Sequence, residues 1–164
     1  MIQEANLHWR HIDTESQSII MPWYTLPCLQ WLLQQPTKTW KVFEYGGGYS
    51  SIWWRLNSLL YKGIDSNEFW AIVGNILFTD KKQTYIESCC FDKWDCIIVD
   101  GIEREECVKW SLDYIKPGGY LIIDNYGSED YKVEETQELL KDWKVQYFRQ
   151  PNHSTWQTAV FQKP

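Results

Sequence analysis

Residues 42–51 read Val-Phe-Glu-Tyr-Gly-Gly-Gly-Tyr-Ser-Ser, an apolar run with one acid that leads into three glycines. This pattern predicts a buried strand that turns tightly into a helix. Glycines have no Cβ, so they accept positive φ and let a ligand approach the backbone closely. In an open α/β sheet, nucleotides bind where the first strand gives way to the first helix. We therefore expect Glu44, Gly46, Gly48 and Ser50 to bind a nucleotide-type cofactor.

The remaining sequence alternates strand-like runs with segments of helical length. Strands are predicted at Trp40–Tyr45, Tyr61–Asp65, Thr84–Glu87, Cys96–Asp100, Tyr120–Asp124, Val145–Arg149 and Thr158–Gln162. Helices are predicted at Leu26–Gln35, Ser50–Leu60, Asn67–Phe78, Arg104–Ile115 and Val133–Trp143. This alternation predicts an α/β fold with a Rossmann-like, doubly wound, mostly parallel seven-stranded sheet, and the last two strands predict an antiparallel edge hairpin.

The length of 164 residues fits one domain with a real core. We divide it into an N-terminal segment with a helix, residues 1–39, and a Rossmann-like core, residues 40–164. Between Tyr85 and Asp100 there is room for a turn but hardly for a helix. One crossover helix is therefore expected to be shortened.

Charge and composition exclude several classes of protein. The net charge is −6 and no run of Lys or Arg forms a stripe, so nucleic acid is a poor partner and a neutral or cationic small molecule fits better. No apolar stretch reaches the roughly 18 residues that a membrane span needs. We expect a cytoplasmic protein without a membrane partner. The five cysteines lack metal-ligand spacing, so neither zinc nor a disulfide framework is expected.

Acids close three of the predicted strands. Asp65 ends the second strand, where a carboxylate can accept both hydroxyls of a ribose. Asp100 ends the fourth, and Asp124 and Asn125 end the fifth. Their oxygens are hard ligands suited to Mg²⁺, although an Asp-Asn pair can also simply end a strand and start a turn. A dinucleotide site would share this layout, but its usual third glycine is replaced by serine here.

Together these motifs resemble the class I S-adenosylmethionine-dependent methyltransferases over residues 40–163. Within that superfamily the chain is similar to a small, little-characterised methyltransferase-like group. The similarity rests on the Pro-Trp-Tyr-Thr-x-Pro run at 22–27, the Ser-Ser and Trp-Trp pairs within 50–54, and the Thr-x-x-Phe pattern at 158–161. It implies methylation of an oxygen or nitrogen of a small molecule, with S-adenosylmethionine as cofactor.

The resemblance also implies roles for individual residues. The glycine loop and Asp65 would hold the cofactor, and Asp100 would face both its methionine part and the methyl acceptor. Catechol-type O-methyltransferases use an Asp plus Asp-Asn arrangement to bind a metal ion that acidifies a substrate hydroxyl. Candidate general bases are Asp100 and His153, and Trp23 and Tyr24 are candidates for lining the substrate pocket.

Two other functions stay open at this level. A non-catalytic, methyltransferase-like binding module would explain the trimmed crossover, because that trimming leaves little wall for an acceptor pocket. A nucleotide-dependent oxidoreductase would use the same glycine loop. Exposed edge strands and surface aromatics further predict a homodimer.

Overall fold

The computed structural model describes residues 20–128, 131 and 133–164. The first part of the predicted N-terminal segment lies outside these residues. The strands are β1 (Lys41–Tyr45), β2 (Leu60–Asp65), β3 (Leu77–Phe78), β4 (Trp94–Val99), β5 (Ile115–Ile123), β6 (Lys144–Arg149) and β7 (Gln157–Gln162). The α-helices are α1 (Leu26–Leu32), α2 (Tyr49–Asn57), α3 (Glu68–Gly74), α4 (Lys82–Glu87), α5 (Arg104–Ser111) and α6 (Val133–Leu139).

The strands form one seven-stranded sheet in the order β3-β2-β1-β4-β5-β7-β6. Pairing is parallel from β3 to β5, and β7 runs antiparallel to both β5 and β6. The predicted fold class and C-terminal hairpin are therefore confirmed. The strand order reverses between β1 and β4, and this switch point opens a crevice at the carboxyl ends of the two strands.

Apolar side chains cover both faces of the sheet, as the continuously apolar central strands predicted. On one face, Tyr45, Val99 and Ile123 pack with residues of α4 and α5. On the other face, Val42 and Ile98 pack with residues of α1 and α2. Successive residues of a strand point to opposite faces, so Glu44 lies on the same face as Val42, beneath α1 and α2.

The third strand is not where the sequence predicted it. Residues Thr84–Glu87 belong to the helix α4, and the predicted strand there is wrong. The true third strand, β3, is two residues long and lies inside the stretch predicted as one long helix over Asn67–Phe78. A crossover helix of six residues, α4, thus precedes β4, where the sequence had left room only for a turn.

Within the described part of the chain, no helix is long and apolar enough to cross a membrane.

Candidate functional site

A cleft of about 500 Å³ runs along the carboxyl edge of the sheet. It passes the ends of β2, β1, β4 and β5, the four strands on either side of the switch point. Its lining consists of Trp23, Gly46, Gly47, Gly48, Tyr49, Ser50, Asp65, Ser66, Asn67, Trp70, Asp100, Gly101, Ile102, Arg104 and Asn125. The cleft thus brings together several residues that the sequence predicted for the site: Gly46, Gly48, Ser50, Asp65, Asp100, Asn125 and Trp23.

The glycine loop forms the floor of the cleft. Gly46 has a φ of +80°, and a Cβ there would collide with the backbone of Gly101. The loops after β1 and β4 therefore touch through bare backbone, which explains glycine at both positions. The N–H of Gly48 donates to the Oγ of Ser51 at 2.9 Å, and this hydrogen bond ties the loop to the first turn of α2.

Asp65 closes β2 at one end of the cleft. Its Oδ1 accepts the backbone N–H of Asn67 at 2.7 Å, so the carboxylate is held by the turn into α3. Asn67 in turn caps α3, with its side chain accepting from the N–H of Phe69 at 3.0 Å. Burial raises the pKa of Asp65 above its usual value. A carboxylate oriented in this way can accept hydrogen bonds from a ligand in the cleft.

Glu44 lies behind the glycine loop and does not line the cleft. The residue is fully buried, and its carboxylate accepts the hydroxyls of Tyr24 at 3.1 Å, Tyr61 at 2.5 Å and Ser51 at 3.3 Å. Burial raises the pKa of Glu44 to about 7, against the lowering effect of these hydroxyls. In this structure Glu44 supports the loop from beneath, where the sequence had suggested a contact with the cofactor itself, direct or through water.

Asp100 faces the cleft between the ends of β1 and β5. Its side chain is 22% exposed and forms an ion pair with Arg104 at 3.4 Å. Burial, followed by the nearby carboxylate of Asp124, raises the pKa of Asp100 well above its usual range, although Arg104 opposes the shift. A carboxylate whose pKa is raised is a stronger base than an ordinary one, so Asp100 is a candidate proton acceptor.

Arg104 brings a positive charge to the acids that the sequence suggested as metal ligands. Its guanidinium donates to the carbonyls of Gly101 at 2.9 Å and Asp100 at 3.0 Å, and also to the carbonyl of Asp124. A permanent positive charge therefore already joins the ends of β4 and β5. A divalent ion beside it would be repelled, because like charges at such distances are strongly unfavourable.

Asp124 is turned away from the cleft. It is 3% exposed, and its carboxylate accepts the Thr158 hydroxyl at 2.5 Å and the indole N–H of Trp156 at 3.3 Å. Asn125 does line the cleft, with a φ of +51° that marks a turn. The donor set predicted for Mg²⁺ does not fit a metal ion here, because the Asp124 carboxylate is buried and hydrogen-bonded and the Asp100 carboxylate is paired with Arg104.

The three remaining predicted residues lie in different places: in the cleft, behind it and at the surface outside it. Trp23 lines the cleft, where its ring contacts Tyr49 and Trp70 with centroid separations of 6.3 Å each. Tyr24 is buried behind the cleft and does not line it. His153 is exposed outside the cleft, and its Nδ1 accepts the backbone N–H of Trp156 at 3.0 Å.

Sequence reasoning missed several cleft residues. Tyr49 could have been found from its place directly after the glycine loop, and Asn67 from its capping position just after Asp65. Arg104 could be recognised only as an arginine at a helix start, able to pair with an acidic substrate or to stay solvated, and Trp70 gave no signal. Their contacts with the loop and with the β5 end depend on how α3 and α5 pack on the sheet.

The sequence matches no protein-family model. No curated protein resembles it in sequence either.

Solved structures, in contrast, share its fold. Magnesium protoporphyrin IX methyltransferase ChlM from Synechocystis PCC 6803, with bound SAM, superposes with a TM-score of 0.64 at 12% identity, over 84% of this chain and 77% of that one. The O-methyltransferase TomG from Streptomyces achromogenes, in complex with SAM, gives 0.60 at 17% identity, over 81% and 77%. The N-methyltransferase NodS from Bradyrhizobium japonicum, in complex with S-adenosyl-L-homocysteine, gives 0.60 at 13% identity, over 82% and 85%. The fold is thus the Rossmann-like fold of the S-adenosylmethionine-dependent methyltransferases.

Proposed function

We propose that this protein is an S-adenosylmethionine-dependent methyltransferase that modifies an oxygen or nitrogen of a small molecule. The observation that carries the proposal is the cleft itself. It joins the glycine loop after β1 with a carboxylate at the end of β2, in a fold that superposes on those of methyltransferases. Folds of this kind host many functions, so the proposed function depends on these cleft residues and not on the fold alone.

The residues of the cleft fit such a cofactor. A Cβ on Gly48 would lie 3.2 Å from the ring of Trp70, so the glycine keeps the space above the loop open. The carboxylate of Asp65 would accept the two ribose hydroxyls, and Ser50 would bind near the start of α2. When bound, S-adenosylmethionine supplies a methyl group that its sulfonium already makes electrophilic. The protein's part is then mainly to orient the reactants and to exclude water.

Asp100 is the residue best placed to handle the acceptor's proton. It lies on the cleft at the end of the strand next to β1, and its raised pKa makes its carboxylate a stronger base than an ordinary one. Arg104 would keep its carboxyl oriented through their ion pair. The cleft presents acids and aromatic rings, which favours a neutral or cationic acceptor over an anionic one.

The proposed reaction does not include Mg²⁺. The Asp124 carboxylate is buried and already accepts hydrogen bonds, and the Asp100 carboxylate is paired with Arg104, so these oxygens are poorly placed to hold the ion. His153 has no part in the proposal either, since it lies outside the cleft.

Isothermal titration with S-adenosylhomocysteine tests the first step. The wild-type protein should bind it, and Asp65→Ala should weaken binding by about tenfold or more, because charge-assisted hydrogen bonds would be lost. Asp92→Ala is the matched control, since Asp92 forms a surface ion pair with Lys41 away from the cleft. No binding at millimolar ligand would refute the proposal. Binding without methyl transfer to any acceptor in a panel of small phenols and amines would favour a non-catalytic binding module.

A further inference from the structure

Residues 22–26 cross from the hairpin side of the sheet to the glycine loop, and we call them the strap. The strap carries Trp23, which lines the cleft and directly precedes two buried residues that form hydrogen bonds. Its sequence neighbours Tyr24 and Thr25 are 2% and 0% exposed. Trp23, which forms part of the cleft wall, is therefore held in place by the two buried residues that follow it in sequence.

The first attachment runs to Glu44 beneath the glycine loop. The hydroxyl of Tyr24 donates to Oε1 of Glu44 at 3.1 Å and accepts the indole N–H of Trp54 at 3.1 Å. The other carboxylate oxygen of Glu44 accepts from Ser51, which receives the N–H of Gly48. One buried carboxylate thus links the strap to the loop across the cleft floor.

The second attachment runs to Asp124 at the end of β5. The backbone N–H of Thr25 donates to Oγ1 of Thr158 at 3.1 Å, and that hydroxyl donates to Oδ1 of Asp124 at 2.5 Å. The N–H of Leu26 is also held, by Oε1 of Gln150 at 2.8 Å. The strap is therefore attached at two points, through Tyr24 to Glu44 in β1 and through Thr25 and Thr158 to Asp124 after β5.

We propose that Glu44 and Asp124 are positioning residues that act through Tyr24 and Thr158 to hold Trp23 as a fixed wall of the cleft. These are two of the carboxylates whose sequence positions suggested contacts with cofactor and metal. Both are buried behind the cleft. Each accepts a hydrogen bond from a hydroxyl, that of Tyr24 in the strap or that of Thr158, which in turn binds the strap. The inference rests on the proposed function, because it assigns the strap to the ligand-binding side of the same cleft.

The consequence for binding is preorganisation. Trp23 keeps 38% of its surface exposed, and its ring contacts those of Tyr49 and Trp70, which belong to the starts of two different helices. A ring held in place before the ligand arrives loses little freedom on binding. When one attachment is removed, the strap should sample other positions, and part of the binding free energy should then be spent on ordering it.

The test is a double-mutant cycle on S-adenosylhomocysteine affinity. Tyr24→Phe removes only the hydroxyl, and we expect binding to weaken by about fivefold, the worth of one buried hydrogen bond. If Tyr24 acts through Trp23, the double variant Trp23→Ala, Tyr24→Phe should bind as Trp23→Ala does, within about twofold. Additive effects of the two changes, or wild-type affinity in Tyr24→Phe, would overturn the proposal.

Tyr45→Phe is the matched control. Its hydroxyl donates to the carbonyl of Ile86 at 2.7 Å on the opposite face of the same strand, so the change also removes one buried hydrogen bond. We expect it to lower the unfolding temperature without changing affinity. An equal loss of affinity in Tyr45→Phe would mean that Tyr24 has a merely structural role. If Tyr24→Phe does not fold, Thr158→Val replaces it in the same cycle, with the same expected result.

Hydrogen exchange separates this proposal from the proposed function. The amides of Thr25 and Leu26 should exchange faster in Tyr24→Phe than in the wild type, and Tyr45→Phe should leave them unchanged. If the wild-type protein does not bind S-adenosylhomocysteine, the proposed function fails, and the strap is judged by exchange alone. Unchanged protection of these two amides would then overturn the strap.

Discussion

At Gly46 the chain meets two constraints at once, a positive φ and direct contact with the backbone of Gly101. Gly118 has nearly the same φ, +76° against +80°, but a Cβ there would have no atom within 4 Å. Gly118→Ala should therefore cost about 1 kcal/mol of stability from backbone strain alone. Gly46→Ala should cost clearly more, because the two loops must also separate.

Urea unfolding of the two glycine variants measures this difference. Only Gly46→Ala should also lose affinity for S-adenosylhomocysteine, since Gly118 is remote from the cleft. Equal losses of stability in the two variants would contradict the close approach of the loops.

Glu44 gives a prediction about pH. Its pKa is raised by burial from 4.5 to about 7, so between these values the folded state binds more protons than the unfolded state. The free energy of unfolding should therefore fall as pH rises through this window, by about 3 kcal/mol from this residue alone. Glu44→Gln cannot titrate there, so its stability should fall less over the same range. Parallel pH profiles of wild type and variant, measured by chemical denaturation, would contradict a carboxyl that is buried in the folded state.

Site residues could be predicted from the sequence only where their position at the end of a strand decides their role. Gly46 and Asp65 follow from the end of a strand, and both lie in the cleft. The burial of Glu44 and Asp124 does not follow in this way. Their hydroxyl donors, Tyr24 and Thr158, are 20 and 34 residues away in sequence, so only the packed fold brings them together.

Among the elements, the boundary between α3 and β3 was the hardest to predict. The helix ends at Gly74, and Asn75 follows with a φ of +48°, a left-handed conformation that Asn tolerates. That Gly-Asn pair was the available signal. The two-residue β3 is too short to have an alternating pattern, whereas Thr84–Glu87 has the composition of a strand and is nevertheless helical.

The ends of β4 and β5 depend on Arg104. Its guanidinium donates to three backbone carbonyls and to the carboxylate of Asp100, and its side chain is 19% exposed. Arg104→Ala should lower the free energy of unfolding by about 2–4 kcal/mol, because these acceptors lose a charged donor. Lys109→Ala on the same helix removes an exposed ion pair with Glu135 and should cost less than about 1 kcal/mol. Similar losses in the two variants, measured by urea unfolding, would contradict this role.

The same arginine predicts indifference to metal ions. Because the Arg104 guanidinium lies between the ends of β4 and β5, we expect no effect of millimolar MgCl₂ or EDTA. Both the unfolding temperature and the affinity for S-adenosylhomocysteine should stay unchanged. Differential scanning fluorimetry and calorimetric titration measure the two quantities. A clear rise in the unfolding temperature or in the affinity on adding Mg²⁺ would contradict this and support the metal site that the sequence suggested.

For the whole molecule, the sheet edges bear on association. β3 at one edge exposes Leu77 and Phe78, and β6 at the other exposes Val145 and Tyr147. Apolar edge strands favour pairing with another chain, so the homodimer predicted from sequence stays a prediction. Light scattering at micromolar concentration should give twice the monomer mass. A monomer mass would contradict it.

The central claim is that the cleft along the carboxyl edge of β2, β1, β4 and β5 holds S-adenosylmethionine. The most direct measurement is a crystal structure of the protein soaked with S-adenosylhomocysteine and Mg²⁺. We expect ligand density in the cleft against the Gly46–Gly48 loop and Asp65, with Arg104 still bonded to the β4 and β5 ends and no ion beside it. Ligand bound elsewhere, or a cleft without ligand at saturating concentration, would contradict it.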